Sequence, residues 1–111
     1  MTLMVRVADA ELTPDAPKPG RVLAGDPVTS SVVLPSDGKV GCGIWQIAPG
    51  MAVEVAPRGM FTVLSGRATI AVDDGPTFEV GPGDVCLWDG GERTIWTVHE
   101  TLRKVYQITR S

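Results

Sequence analysis

A chain of 111 residues is the length of one domain, long enough to bury a core without disulfide staples. Its composition is 43% hydrophobic and 21% charged with a formal net charge of −3, which gives no sign of the clustered basic surface needed by nucleic acid or an anionic membrane. No apolar run approaches the roughly 20 residues that span a bilayer, and residues 1–12 hold no apolar segment long enough for a secretory signal, so a cytoplasmic location is expected.

In chain order, residues 8–27 carry four prolines, Pro14, Pro17, Pro19 and Pro27, and no regular period. Residues 1–20 read as an irregular arm laid over a sheet edge, where it would cover exposed backbone groups. A single domain follows over residues 21–111. "VTSSVVLP" and "KVGCGIWQIAP" read as two strands around the turn Ser36-Asp37-Gly38. After Pro49-Gly50 the breaks come at Gly59, Gly66, Asp74-Gly75, Pro82-Gly83 and Gly90-Gly91, one every seven to nine residues. That is close to the turn spacing of sandwiches and barrels.

Between these breaks lie the short runs "MAVEVA", "MFTVLSG", "RATIAVD", "TFEVG", "DVCLWD", "TIWTVHE" and "LRKVYQIT". In "RATIAVD" alternation sets Ala68, Ile70 and Val72 on one face. In the last run it sets Lys104, Tyr106 and Ile108 against Val105 and Gln107. "VDDGPT" offers a hairpin at Asp74-Gly75, and "PGD" a tight corner whose aspartate can bond its own backbone. Helical periodicity is absent, and the fold class is all-β.

Few side chains carry obvious chemistry. Cys42 and Cys86 sit in apolar stretches and read as buried thiols that pack as small hydrophobes, with no disulfide. His99 is the only histidine. Alternation groups it with Ile95 and Thr97, opposite Thr94, Trp96 and Val98, so it points outward. Glu54, between Val53 and Val55, reads as outward too. Arg103-Lys104 reads as a solvated face. Neither a phosphate loop nor a Gly-x-Ser-x-Gly elbow is present, and Asp73, Asp74, Glu79, Asp84, Asp89 and Glu92 are explained by turn chemistry.

"PRGMFTVLSGRATI", followed by "GPGDVCLWDGGERTIWTVHETLRKVY", resembles the two halves of the cupin signature. More narrowly, it resembles small cupin domains related to ureidoglycine aminohydrolase. The matching pieces are "AGDP" at 24–27, Gly43 to Trp45, Pro49-Gly50, "VLSG" at 63–66, "GPGD" at 81–84 and Gly91. Trp96, Val98, Glu100, Arg103, Lys104 and Tyr106 complete the match, which spans about residues 20–111. The resemblance implies a double-stranded β-helix, the cupin jelly-roll barrel, and pairing into a homodimer. The metal-ligand positions of the family fall here on Val53, Val55 and Gly59, or with a shifted loop on Ala56 and Arg58, and on Thr94. Asp89 stands where a proline is usual. None of these supplies the imidazole, thiolate or carboxylate set that a transition metal wants, so no metal and no cofactor is expected.

A barrel without its metal still has a cavity, and small-molecule sites are mostly apolar with a few placed polar groups. The candidate ligand-binding residues are Trp45, Phe61, Trp88, Trp96 and Tyr106, with Arg58 and Thr94 to orient a ligand. Arg58 would suit a carboxylate through its planar fork. Glu100 and Lys104 are read as an ion pair at a strand junction or as support for a dimer contact. Three readings of function stand side by side. One is a metal-free container for a small organic molecule, anionic or neutral; the second is an enzyme like the ureidoglycine-hydrolysing relatives, acting on a nitrogen-rich or sugar-derived metabolite. The third is a structural or interaction protein whose barrel is plugged by its own tryptophans.

Overall fold

The computed structural model describes residues 2–16 and 18–110. It is built from nine strands: β1 (Thr13–Pro14), β2 (Val22–Gly25), β3 (Thr29–Leu34), β4 (Val40–Ile47), β5 (Gly50–Val55), β6 (Gly59–Val72), β7 (Thr77–Val80), β8 (Val85–Trp88) and β9 (Arg93–Thr109). A single 3-10 turn lies at Val7–Asp9. Among the described residues no helix is long and apolar enough to cross a membrane.

Two long strands organise the rest. β6 and β9 pair antiparallel along nearly their whole length, Gly59 opposite Ile108 and Val72 opposite Thr94. The sequence splits each of them at a break, but both run through. At Gly66 the chain does not turn; the ladder shifts register between Val63 and Ala68 and the ribbon bends. Gly66 takes φ +88°, and a Cβ there would strike the Thr101 carbonyl on β9. A glycine is therefore needed both for its left-handed backbone and for close approach.

The bend divides the sheet into two facing halves. The second half of β9 pairs with β4 from Val40 to Ile47, and β4 continues through β3 to β1. The first half of β9 pairs with β5, which continues to β2. β8 extends the first part of β6 and β7 the second. Ile47, Phe61, Val63, Cys86 and Leu102 from one half pack on Ala52, Ala68, Ile70, Val80, Trp96 and Val98 from the other. Each large side chain so buried is worth about 1.5–3 kcal/mol. The fold is the curled, all-β cup of a jelly roll.

The expected turns form. Asp74 at φ 58° closes the β6–β7 hairpin. Asp84 Oδ2 accepts from Gly81 N at 2.8 Å in the corner between β7 and β8. Asp37 Oδ1 accepts from Lys39 N and Val40 N, both at 2.8 Å, and these bonds lower its carboxyl pKa. The arm reaches the edge of one half through β1 on β3, and its Asp15 carboxylate accepts from Ser31 Oγ at 2.6 Å. Pro17 lies outside the described residues.

Candidate binding cavity

From Thr94 to Val98 and again from Leu102 to Ile108, every second side chain of β9 faces the inside of the cup, the alternation being broken at the exposed Glu100. Thr94, Trp96 and Val98 line its first half, Leu102, Lys104, Tyr106 and Ile108 its second. Above the packed core, at the end where β5 leaves for the loop 56–58, a cavity of about 470 Å³ remains. Six of the seven residues expected around a ligand line it: Trp45, Phe61, Trp88, Thr94, Trp96 and Tyr106. Arg58 does not. It stands exposed in the loop, with its carbonyl accepting from Thr109 N.

The aromatic residues form one continuous wall. Trp45 meets Trp96 edge-on with centroids 5.4 Å apart, Phe61 lies 5.6 Å from Trp96, and Trp88 lies 6.1 Å from Phe61. Such contacts add to the area these rings bury. Trp96 is fixed further by its indole N–H, which donates to Thr94 Oγ1. Tyr106 lies opposite Gly43 on β4, which leaves the room its ring occupies.

Lys104 enters this wall. Its Nζ sits 4.3 Å from the Phe61 ring, 4.4 Å from Trp45 and 4.9 Å from Trp96, over all three faces. Ring quadrupoles attract the ammonium, while the loss of water disfavours it; burial wins, and the pKa is pushed down to about 8. Among the described residues the ammonium makes no ion pair. The surface it keeps open faces the cavity. The expected pairing of Lys104 with Glu100 does not occur: Glu100 accepts from Arg67 Nε at 3.2 Å on the outside. Nor is Arg103-Lys104 a solvated face. Adjacent residues of a strand point to opposite faces, and Arg103 leaves the cup to bind the arm carbonyls of Val7 and Ala10 at 2.7 and 3.0 Å.

Glu54 is a second correction. The register pairs Glu54 with Thr94 and Ala52 with Trp96, so Glu54 shares the inward face and lines the cavity. Burial raises its carboxyl pKa, held back by Lys18, Arg21 and Lys104, and Arg21 Nη1 approaches it at 3.4 Å. Glu54 and Trp45 also line a second cavity of about 350 Å³ under the arm. His99 stays outside, 2.8 Å from Thr69 Oγ1. Cys86 is buried in the core and Cys42 half-buried, both as free thiols; burial pushes the Cys86 thiol up.

The family model of the EutQ-like cupin domain matches residues 34–106, about two thirds of the chain. The chain belongs to the EutQ-like cupin family. A search of curated proteins finds no match. Among solved structures, the cup is similar to Clostridium difficile EutQ, with a TM-score of 0.66 at 17% identity over 75% of this chain and 68% of that one. A protein of unknown function from Pseudomonas syringae pv. tomato gives 0.76 at 25% identity over 91% of this chain and 45% of that one. Ectoine synthase from P. lautus gives 0.64 at 17% identity, covering 78% and 67%. These likenesses establish the cupin fold, and they do not carry the narrower resemblance to ureidoglycine aminohydrolases.

The cupin fold implies a metal in the cup, and the residues present do not fit one. Among the described residues no three His, Cys, Asp or Glu side chains converge, whereas a transition-metal site needs such donors around one point. The side chain that reaches the aromatic wall is itself a cation, which repels a metal ion instead of ligating it.

Proposed function

We propose that this cupin binds a small organic anion in its cavity, with the Lys104 ammonium as counter-ion and the wall of Trp45, Phe61 and Trp96 against the apolar part of the ligand. One observation carries the reading: Nζ lies 4.3–4.9 Å from three ring faces and lines open volume, and among the described residues no carboxylate is within ion-pair distance of it, Glu54 acting on it only across the cavity. A buried cation without a partner is destabilising, and an anion entering the cavity relieves that. The volume suits a small metabolite, being within the usual range of about 300–1,000 Å³ for ligand sites. That open volume beside the tryptophans also speaks against a barrel plugged by its own side chains.

The test is a thermal-shift and calorimetric screen of small carboxylates at neutral pH. A ligand that binds only the native state raises stability by about 2.7 kcal/mol at a hundredfold excess over its Kd. Binding should vanish in Lys104→Met and survive in Arg58→Ala. Retention of affinity in Lys104→Met, or its loss in Arg58→Ala, would move the anion site out of the cup.

A further inference from the structure

Resting on the anion-binding reading, we propose that Lys104 is also a nucleophile, and that the cavity captures small 2-oxo acids as a Schiff base on its Nζ. The geometry points to this use. The amine lines a half-open cavity, aromatic on the side of Trp45, Phe61 and Trp96, with room for a small molecule. Three rings flank it and the amine also lines the cavity, so its free N–H bonds and, once deprotonated, its lone pair are open to that volume. Desolvation in an aromatic pocket is the standard way to make a lysine nucleophilic. With a pKa of about 8, about a tenth of the amine is neutral at pH 7, far more than for a lysine in water.

The same wall supplies a proton carrier. Glu54 lines the cavity, and burial raises its carboxyl pKa, which suits a group that must both give and take a proton. The neutral amine attacks the keto carbon; a C–N bond forms and the carbonyl oxygen takes up a proton. The resulting carbinolamine then loses that oxygen as water. The nitrogen gives up both of its protons along the way, which balance the water that leaves, and its lone pair closes the C=N bond. Amine and ketone become imine and water, with no oxidant or reductant. Protonated, the imine is again a cation, now adjacent to the ligand's own carboxylate. The charge pair that draws the anion to Lys104 therefore survives the covalent step, and this selects a 2-oxo acid over a simple aldehyde.

The test treats the purified protein with pyruvate and sodium cyanoborohydride, followed by intact-mass and peptide mass spectrometry. Reduction of the imine adds the mass of pyruvic acid less one oxygen atom. The chain has three lysines, Lys18, Lys39 and Lys104; Lys39 does not line the cavity and is the internal control, while Lys18 does line it and must stay unlabelled if Lys104 is the nucleophile. A single adduct on the peptide carrying Lys104, absent in Lys104→Met and in Lys104→Arg, supports the inference. Circular dichroism of both variants verifies the fold, and Lys104→Arg keeps the cation while losing the nucleophile. No adduct on the wild-type protein, or labelling spread equally over the three lysines, overturns it. Propanoate, which has the carboxylate but no keto group, separates the two claims. If it stabilises the protein while pyruvate is not trapped, the nucleophile is wrong and the anion site stands. If it does nothing and pyruvate is not trapped, both fall.

Discussion

The indole N–H of Trp96 donates to Thr94 Oγ1 at 3.1 Å, and the same hydroxyl donates to the backbone carbonyl of Glu54 at 2.6 Å. Thr94 is fully buried and its bond from Trp96 is buried too, so water cannot replace that bond. Thr94→Val keeps the shape and deletes the hydroxyl, leaving the buried Trp96 N–H unpaired and taking one donor from the part-buried Glu54 carbonyl. A loss of about 1–3 kcal/mol is expected, read as a lower urea midpoint. Thr94→Ser should recover most of it. An unchanged midpoint in the valine variant would mean that Trp96 is held by packing alone.

Lys104 makes stability depend on pH in a defined window. Its pKa falls from 10.5 in the open chain to about 8 in the fold, so between those values the unfolded state binds more protons and stability rises with pH. Below the window the buried charge destabilises the fold by about 3 kcal/mol. Lys104→Met, whose thioether packs well on rings, should be more stable than wild type at neutral pH. Its advantage should shrink as pH climbs from 8 through 10.5. Glu54 acts in a separate, acid window. Its raised pKa means that its burial becomes unfavourable as pH rises through the folded value.

Arg103 ties the arm to the cup. Its guanidinium accepts nothing and donates to Gln46 Oε1 at 3.0 Å and to the carbonyls of Val7 and Ala10 at 2.7 and 3.0 Å. Charge-assisted bonds of this kind are worth about 1.5–3 kcal/mol each in favourable settings. Arg103→Ala should therefore raise hydrogen exchange and protease cleavage within residues 2–16 and leave the strands of the core protected. Ligand affinity should fall as well, since Asp15 of the arm lines the cavity.

Gly66 and Gly83 share φ +88° but differ in surroundings. Nothing lies within 4 Å of a Cβ built on Gly83, whereas one on Gly66 meets the Thr101 carbonyl. Gly83→Ala should show only the left-handed backbone term, about 1–2 kcal/mol. Gly66→Ala adds a clash between the two long strands and should lower the melting temperature by clearly more. Equal effects would show that the bend at Gly66 tolerates a side chain.

The all-β class and most strands were legible because glycine and proline punctuate them at short intervals. A glycine in a turn and a glycine in a bent strand look alike in sequence, however, and Gly66 is the latter. The aromatic residues of the cavity were legible by alternation and size. Alternation also put Lys104 on the face of Tyr106 and Ile108; its charge argued for solvent, and the parity was the better guide. Glu54 misled in the mirror sense, because Val53 and Val55 looked like the inward pair. What decides its direction is its pairing with Thr94, a partner 40 residues away. Arg58 depended on the length of a loop, which no periodicity fixes.

β9 spans Arg93 to Thr109 and is hydrogen-bonded to β4, β5 and β6. During synthesis, then, the ribosome delivers three strands before the one that joins them. β4 and β5 leave the exit tunnel with their inner edges bare, and the aromatic wall cannot close until Trp96 and Lys104 follow. Until β9 follows, the edges of β4, β5 and β6 that it covers have no partner strand.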